Sequence, residues 1–332
     1  MLRRTALRLI AAAVVLAGLS VGNEARAAEV IKIGTLWPQA SPWGLVFKVW
    51  AEAVSQKSGG RIELQFFYNG SQGDEAAMVG KMKDGQLDGA AVSGVGLGKI
   101  YRPILALQMP GLFRTWTKLD AARDAMKGDF DKGAKDAGFS ILGWSDGGAV
   151  RLMSKGFIVR SPDDIKGKKP FMWRDDPIAP IVFQVIGGVT PVPLNVPEVL
   201  PQLNTGAINV VAAPAVGAEQ LQWSSKLDTI GDDVNALAIG AIVMSSKRLD
   251  ALPEDLRTIV RDTAKVAADA LLKRLRAEDD AAFVRLKGKM KVVTLTADEK
   301  AKWDALYKLV RDRLRQGTFA PELVTKLEAL AK

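Results

Sequence analysis

Strand-like and helix-like segments alternate along the first part of the chain. The alternating side chains of Ile31 to Leu36 predict a strand, and Trp43 to Ser55 has the periodicity of an amphipathic helix. A second strand is predicted over Arg61 to Tyr68, a helix over Asp74 to Lys83, and a third strand over Leu87 to Val92. This alternation predicts an α/β sheet built from strand–helix units.

A similar unit recurs in the second half of the chain. Both copies have an apolar helix face, a glycine that ends the helix, and a short strand. The matching positions are Met78, Met82, Gly85, Leu87 and Asp88 in the first copy and Val199, Leu203, Gly206, Ile208 and Asn209 in the second. The two strands run into Ser93-Gly94 and Ala213-Pro214. Because ligands of open α/β sheets bind at the carboxyl ends of strands, we expect the loops there to face a cleft between two lobes.

Residues 1–27 have the features of a secretory signal peptide. Arg3, Arg4 and Arg8 precede an apolar run from Leu9 to Leu19, which is too short to span a bilayer, and Ala25-Arg26-Ala27 has the form of a cleavage site. Cleavage would leave about 305 residues, enough for two lobes with substantial cores. We therefore expect a periplasmic protein that does not itself span the membrane.

The composition excludes several functions. The chain has no Cys and no His, so it has no disulfide framework, no Ser-His-Asp triad and no His-ligated metal site. Gly143 to Gly147 fits the G-x-S-x-G pattern of hydrolases but lacks the histidine base. The net charge of +9 is spread along the chain without a basic tract, which disfavours a nucleic-acid partner. We expect no enzyme, no metal and no cofactor.

Two further patterns concern how the lobes are connected. Phe139 to Trp144 and Ala149 to Ser154 look like two extended segments joined by Asp146-Gly147-Gly148, which predicts a crossing between lobes. Leu249 to about Lys287 is mostly helical and would reach about 50 Å, more than one lobe requires. The sequence thus predicts lobe I from residues 28–148 and about 238–270, lobe II from residues 149–237 and about 271–332, and a long helix bridging both.

The chain resembles the extracytoplasmic solute-binding proteins of TRAP transporters, the DctP-type family, through nearly all of its mature length. No single motif decides this, but the order and spacing of several segments together are specific. The matching segments are Ile31-Lys32-Ile33-Gly34-Thr35, Gly59-Gly60-Arg61-Ile62-Glu63-Leu64, Gly73-Asp74-Glu75, Gly85-Gln86-Leu87-Asp88, residues 161–169 (Ser-Pro-Asp-Asp-Ile-Lys-Gly-Lys-Lys), and Leu252-Pro253-Glu254-Asp255-Leu256.

The resemblance implies a two-lobed α/β periplasmic binding protein with a long helix across both lobes. Such a protein closes on one small solute and delivers it to an ion-coupled membrane permease. The resemblance also implies an arginine, in the strand after the Lys-Gly-x-Lys turn, that grips a carboxylate. The residue at that position here is Phe171. At a second position, where the resemblance implies a polar side chain, this chain has Ala213.

These two departures point to a hydrophobic or amphipathic ligand. A buried carboxylate without a cationic partner is costly, whereas apolar burial is favourable. We expect the ligand to contact aromatic residues, strand ends and nearby cations. The expected contacts are Trp37, Ser93, Gly94, Trp144, Arg151, Phe171, Trp173, Arg174, Ala213 and Pro214.

The alternative ligand is an organic acid, a mono- or dicarboxylate held by Arg151 or Arg174. Arg151 matches a second family arginine, and Arg174 lies three positions after Phe171. A non-transport sensor or lipid-shuttle protein on the same fold is a further alternative. The sequence leaves homo-oligomer formation open.

Overall fold

The structure is a computed structural model that describes residues 28–332. The expected signal peptide, residues 1–27, lies outside the described residues. The strands are β1 (Glu29–Thr35), β2 (Ile62–Phe67), β3 (Gly89–Ser93), β4 (Phe139–Ser154), β5 (Phe171–Trp173), β6 (Val192–Leu194), β7 (Val210–Pro214), β8 (Thr229–Gly231), β9 (Ala236–Ser245) and β10 (Lys291–Val293).

Helices alternate with these strands. The α-helices are α1 (Pro42–Lys57), α2 (Glu75–Lys83), α3 (Gly94–Ile100), α4 (Trp116–Asp136), α5 (Ala179–Ile186), α6 (Val196–Thr205), α7 (Ala215–Gln220), α8 (Ser246–Asp250), α9 (Glu254–Lys287), α10 (Ala297–Leu314) and α11 (Pro321–Leu330). Short 3₁₀ helices span Arg102–Gln108, Pro162–Ile165 and Trp223–Lys226. Within residues 28–332, no helix is both long enough and apolar enough to cross a membrane.

The strands form a mixed sheet in the order β10-β8-β4-β9-β3-β1-β2, with β7 also paired to β4. β1 is parallel to β2 and β3, and β9 is antiparallel to both β3 and β4. β5 and β6 form a separate parallel pair. β4 and β9 therefore connect the β1–β3 part of the molecule (residues 29–136) to the β5–β7 part (residues 155–231).

The crossing between these parts differs from the prediction. The two extended segments are one continuous strand, β4, which pairs with β9 and has register shifts between Ile141 and Gly143 and between Asp146 and Gly148. Gly148 has φ +116, and a Cβ there would lie 2.5 Å from Cγ of Asp279. The bulge therefore needs glycine, both for its backbone conformation and for the close approach of that carboxylate.

The long helix α9 confirms the predicted bridge. Its interior shows a buried stripe at helical spacing, and acidic Glu254 and Asp255 occupy its favourable first turn. Near its start, Thr263 Oγ1 accepts a hydrogen bond from the Trp50 indole of α1 at 3.1 Å. Further along, Asp279 accepts the backbone N–H of Val216 in α7 at 3.0 Å. The helix therefore contacts both parts of the molecule.

The C-terminal helix α11 lies beside the β1–β3 part of the molecule. Lys118 of α4 donates to the carbonyl oxygens of Ala331 and Lys332, at 2.9 and 2.8 Å. Arg311 of α10 also donates to the carbonyl of Pro110 at 2.8 Å. The end of the chain thus lies against the β1–β3 part rather than the β5–β7 part, while the lobe boundaries themselves stay a prediction.

The repeated helix–strand units are present as α2–β3 and α6–β7. Gly85 and Gly206 follow the helices with φ of 72° and 73°, in the left-handed region where glycine is favoured. The segments after β3 and β7 are not loops, however, because α3 and α7 begin directly at Gly94 and Ala215. This arrangement points the N-termini of two short helices at the carboxyl ends of the strands.

Candidate ligand-binding cavity

A cavity of about 280 Å³ lies where the ends of β3, β5 and β7 meet the helix α5. Its wall contains six of the side chains expected from the sequence: Trp37, Ser93, Phe171, Trp173, Ala213 and Pro214. Both parts of the molecule contribute to the wall. The volume is near the lower end of the roughly 300–1,000 Å³ of typical small-molecule pockets.

Aromatic rings form much of the wall. Trp37 stacks on Trp43, with ring centroids 3.6 Å apart and planes 7° from parallel. Phe171 meets Trp223 edge-on at 5.8 Å, and Trp223 itself lines the cavity. Trp303 is buried in α10 and lines the cavity as well. The rings give the site a rigid apolar surface.

The helix α5 supplies apolar side chains that sequence analysis missed. Val182, Phe183 and Ile186 of α5 line the cavity, as does Ile178 directly before the helix. The signal was present in the sequence, because α5 reads Ala-Pro-Ile-Val-Phe-Gln-Val-Ile and is apolar on nearly every side. A short helix of this kind buries one face in the core and offers another to a ligand or partner.

Glu75 is a buried carboxylate in the wall. It accepts hydrogen bonds at 2.8 Å from Ser93 N, Ser93 Oγ and Gly96 N, so it occupies the N-terminus of α3. Desolvation by burial raises the pKa of Glu75 to about 7, although the Ser93 and Gly96 hydrogen bonds oppose the shift. The positive end of α3 is thus occupied by the protein's own carboxylate.

Asp279 has the same role in the second unit. Its carboxylate accepts the N–H of Val216 in α7 at 3.0 Å and the N–H of Ala149 at 2.9 Å. The Nη1 of Arg151 lies 3.3 Å from it. Burial raises the pKa of Asp279, against the effect of these partners. Both helix N-termini at the repeated strand ends are therefore satisfied internally.

Asp176 is the second acid in the wall. Its Oδ1 accepts the N–H of Ile178 at 2.8 Å, and the N–H of Ala179 also donates to it. Desolvation by burial raises the pKa of Asp176 to about 6. Among the described residues, neither Asp176 nor Glu75 forms an ion pair, and no Lys or Arg lines the cavity.

Neutral polar groups complete the wall. Gln108 Oε1 accepts the N–H of Ile239 at 2.9 Å. Tyr307 Oη accepts a hydrogen bond from Asn235 Nδ2 at 2.5 Å. Sequence analysis missed these residues, because each acquires its place through a partner more than 70 positions away. No short motif marks them.

Four expected contacts lie outside the wall. Gly94 packs behind it, where a Cβ would approach Gln108 Oε1 to 2.2 Å. Trp144 packs 6.2 Å from Phe130 in the core. The remaining two, Arg151 and Arg174, are the cations on which the organic-acid alternative depends.

Both arginines are engaged elsewhere. Arg151 is buried, pairs with Asp279 and lies 4.1 Å from the ring centroid of Phe283. Arg174 is exposed and pairs with Glu198 at 3.2 Å. Asp175, which follows Arg174 in the chain, pairs with Lys99 at 2.6 Å.

Asp74 connects the two parts of the molecule beside the cavity. Its Oδ2 accepts the indole N–H of Trp173 and the backbone N–H of Val196, both at 2.9 Å. Its Oδ1 accepts the N–H of Glu75 at 2.7 Å. Burial raises the pKa of Asp74 despite these bonds. One carboxylate thus caps α2 and joins β1–β3 residues to β5–β7 residues.

A two-lobed α/β fold that encloses a cavity between its lobes is typical of extracytoplasmic solute-binding proteins. The comparison with protein families agrees. The chain belongs to the DctP family, the bacterial extracellular solute-binding proteins of family 7, whose model matches residues 33–316. The resemblance found in the sequence is confirmed.

Curated relatives share about a quarter of the residues. A solute-binding protein of Sulfitobacter sp. strain NAS-14.1 is 25% identical over 309 residues, covering 92% of this chain and 91% of that protein. The 2,3-diketo-L-gulonate-binding periplasmic protein YiaO of Escherichia coli K12 is 24% identical over 314 residues, covering 92% and 93%.

Solved structures show the same fold at lower identity. The sugar acid binding protein of Advenella mimigardefordensis, in complex with galactonate, has a TM-score of 0.85 and 19% identity, covering 92% of this chain and 98% of that one. A TRAP periplasmic solute-binding protein of Sulfurospirillum deleyianum, with bound succinate, has a TM-score of 0.84 and 20% identity, covering 91% and 99%.

Proposed function

We propose that this chain is the periplasmic receptor of a TRAP-type transporter, and that it encloses one small ligand with a hydrophobic body. The solute-binding class follows from the family, and the fold provides a cavity between two parts of the molecule. The expected signal peptide supports the periplasmic location. Delivery to ion-coupled permease subunits follows from the same family assignment.

The observation that carries the ligand proposal is the composition of the cavity wall. Phe171, Trp173 and the α5 side chains face the cavity, and no Lys or Arg of the described residues lines it. Burying apolar ligand surface there gains about 25 cal/mol per Å². A carboxylate in the same place would lack a cation and would face Asp176, at a cost of several kcal/mol.

The second candidate is an organic-acid receptor. The similar structures favour it, because their bound ligands are succinate and galactonate, and YiaO is named for a sugar acid. For this candidate, Arg151 or Arg174 would have to leave Asp279 or Glu198 and enter the cavity. Freeing Arg151 would leave Asp279 buried without its cation, which is costly.

Ligand titration separates the two candidates. Trp37, Trp173, Trp223 and Trp303 line the cavity, so intrinsic fluorescence should respond to ligand. We expect uncharged ligands with an aliphatic or aromatic body to bind more tightly than succinate or malate. Micromolar binding of succinate or malate would contradict the hydrophobic proposal and support the acid receptor. Displacement curves followed by calorimetry give a control that does not depend on fluorescence.

The transport role has its own test. We expect permease genes beside the gene for this chain. We also expect deletion of the gene to abolish uptake of the ligand. Unchanged uptake together with an intact permease would favour the sensor or lipid-shuttle alternative. Assays with model esters and glycosides address catalysis separately, and we expect no turnover.

A further inference from the structure

We infer that Gln108 and Asp176 select the head group of the ligand, and that this head group is uncharged and polar, such as a primary amide on an apolar body. The inference rests on the proposed function and goes beyond it by naming the chemical class. It follows from which polar atoms of the wall already have partners and which do not. Neither residue belongs to the motifs that carry the family resemblance.

The orientation of the Gln108 amide is fixed by one hydrogen bond. The N–H of Ile239 can only donate, so the atom that it meets at 2.9 Å must be the amide oxygen of Gln108. The amide nitrogen then points away from Ile239. Behind the side chain, Gly94 leaves room for the amide, because a Cβ there would lie 2.2 Å from Oε1.

The amide nitrogen of Gln108 is accessible and has no hydrogen-bond partner among the described residues. If it were fully buried, it would belong to the buried side-chain atoms without a partner, but among the described residues these are only Arg151 Nε and Arg315 Nε. The nitrogen therefore has accessible surface. Because Gln108 forms part of the cavity wall, its two N–H donors are available to a ligand acceptor.

Asp176 provides the complementary acceptor from the other part of the molecule. Backbone N–H groups of Ile178 and Ala179 hold its carboxylate at the start of α5. No Lys or Arg of the described residues pairs with it, and it lines the cavity. A carboxylate in this position accepts a hydrogen bond from a ligand donor and repels a ligand anion.

A primary amide matches both groups. Its oxygen would accept from Gln108 and its N–H₂ would donate to Asp176, while its body would contact Phe171 and the α5 side chains that line the same cavity. A carboxylate head group has no donor for Asp176 and carries the wrong charge. An ammonium head group has no acceptor for Gln108. A ligand that leaves a polar group of the wall unpaired loses affinity, so the site should discriminate strongly between head groups.

The experiment uses three ligands with one body and different head groups: phenylacetamide, phenylacetate and phenethylamine. The mature protein is stripped of bound ligand by unfolding and refolding, and the affinities are measured by calorimetry at pH 7.5. We expect the amide to bind at least tenfold more tightly than either charged ligand. An acid that binds as tightly as the amide, or an amine that binds most tightly, overturns the inference.

Two variants assign the selection to the named residues. Gln108→Leu should weaken amide binding at least tenfold, whereas Gln316→Leu, at an exposed position outside the wall, should leave it unchanged. Asp176→Asn retains an oxygen for the Ile178 N–H and should raise phenylacetate affinity at least fivefold, with exposed Asp163→Asn as its control.

Unchanged affinities in both cavity variants overturn the inference. If Gln108→Leu does not fold, because the Ile239 N–H loses its acceptor, the ranking of the three ligands on the unmodified protein still decides. Failure of the proposed function can be distinguished from failure of the head-group inference. In that case none of the three ligands binds and succinate does, whereas failure of the head-group inference leaves aromatic ligands bound in a different order.

Discussion

At the scale of single residues, Phe171 is the clearest departure from what the resemblance implies. Its ring lines the cavity and packs edge-on against Trp223. Phe171→Arg should place a guanidinium in the wall, where it can form a bidentate pair with a carboxylate and offset the charge of Asp176. We expect the affinity for succinate, measured by calorimetry, to rise at least tenfold.

Phe157→Arg is the matched control, because Phe157 lies outside the cavity wall. It should leave succinate binding unchanged. If Phe171→Arg also changes nothing, position 171 does not determine ligand charge.

Asp176 makes stability depend on pH. Because burial raises its pKa from 3.8 to about 6, the folded protein holds this proton more tightly than the unfolded chain does. The protonated carboxyl therefore stabilises the fold fully below pH 3.8, and this contribution to the free energy of unfolding, on the order of 3 kcal/mol, is lost as the pH rises through about 6. Asp176→Asn does not titrate.

The melting temperature of Asp176→Asn, relative to the unmodified protein, should accordingly rise between pH 4 and pH 7. Glu75 is present in both proteins, so its own titration cancels in the comparison. A difference that is independent of pH would show that Asp176 titrates normally.

The sequence could predict the apolar residues of the cavity but not its polar ones. Phe171 and Trp173 stand out because their size and position in a strand are visible locally. The roles of Gln108 and Asp176 depend on the Ile239 N–H and on a cavity wall that contains no Lys or Arg of the described residues, which only the folded chain determines. Arg151 was expected to contact the ligand but pairs with Asp279. The local sequence does not reveal this partner, because it lies 128 positions away.

At the scale of elements, α9 stabilises the repeated unit of the β5–β7 part through Asp279. Arg151→Met would leave that buried carboxylate without a cation, and we expect the free energy of unfolding in urea to fall by about 2–3 kcal/mol. Ligand affinity should change less than about twofold, because Arg151 lies outside the wall.

Arg174→Met is the comparison, since its pair with Glu198 is exposed and should contribute less than about 0.5 kcal/mol. Loss of ligand binding in either variant, with the fold intact, would support the organic-acid candidate.

Elements with strong local patterns could be predicted, and those set by distant contacts could not. The helix α9 follows from a long apolar stripe, and α2 from Asp74 as its N-cap. The continuity of β4 was missed because Asp146-Gly147-Gly148 has the composition of a turn. Pairing with β9 overrides that local preference, and Gly148 adopts the positive φ that the bulge requires.

At the scale of the whole molecule, the two parts that β4, β9 and α9 connect also meet through a few contacts beside the cavity. Asp74 accepts from Trp173 and Val196, and Lys99 pairs with Asp175. Trp173 also lines the cavity, so one side chain contacts both the enclosed space and the connecting carboxylate. We therefore expect closure of the two parts and enclosure of the ligand to be linked through Trp173.

Asp74→Asn tests this link. The asparagine oxygen can still cap α2 through the Glu75 N–H, but its N–H₂ would face the two donors, Trp173 Nε1 and Val196 N. We expect the ligand-free protein to open, with a radius of gyration about 0.5–1 Å larger in small-angle X-ray scattering. Asp84→Ala, at the exposed other end of α2, should scatter like the unmodified protein. If Asp74→Asn does so as well, these hydrogen bonds do not hold the two parts closed.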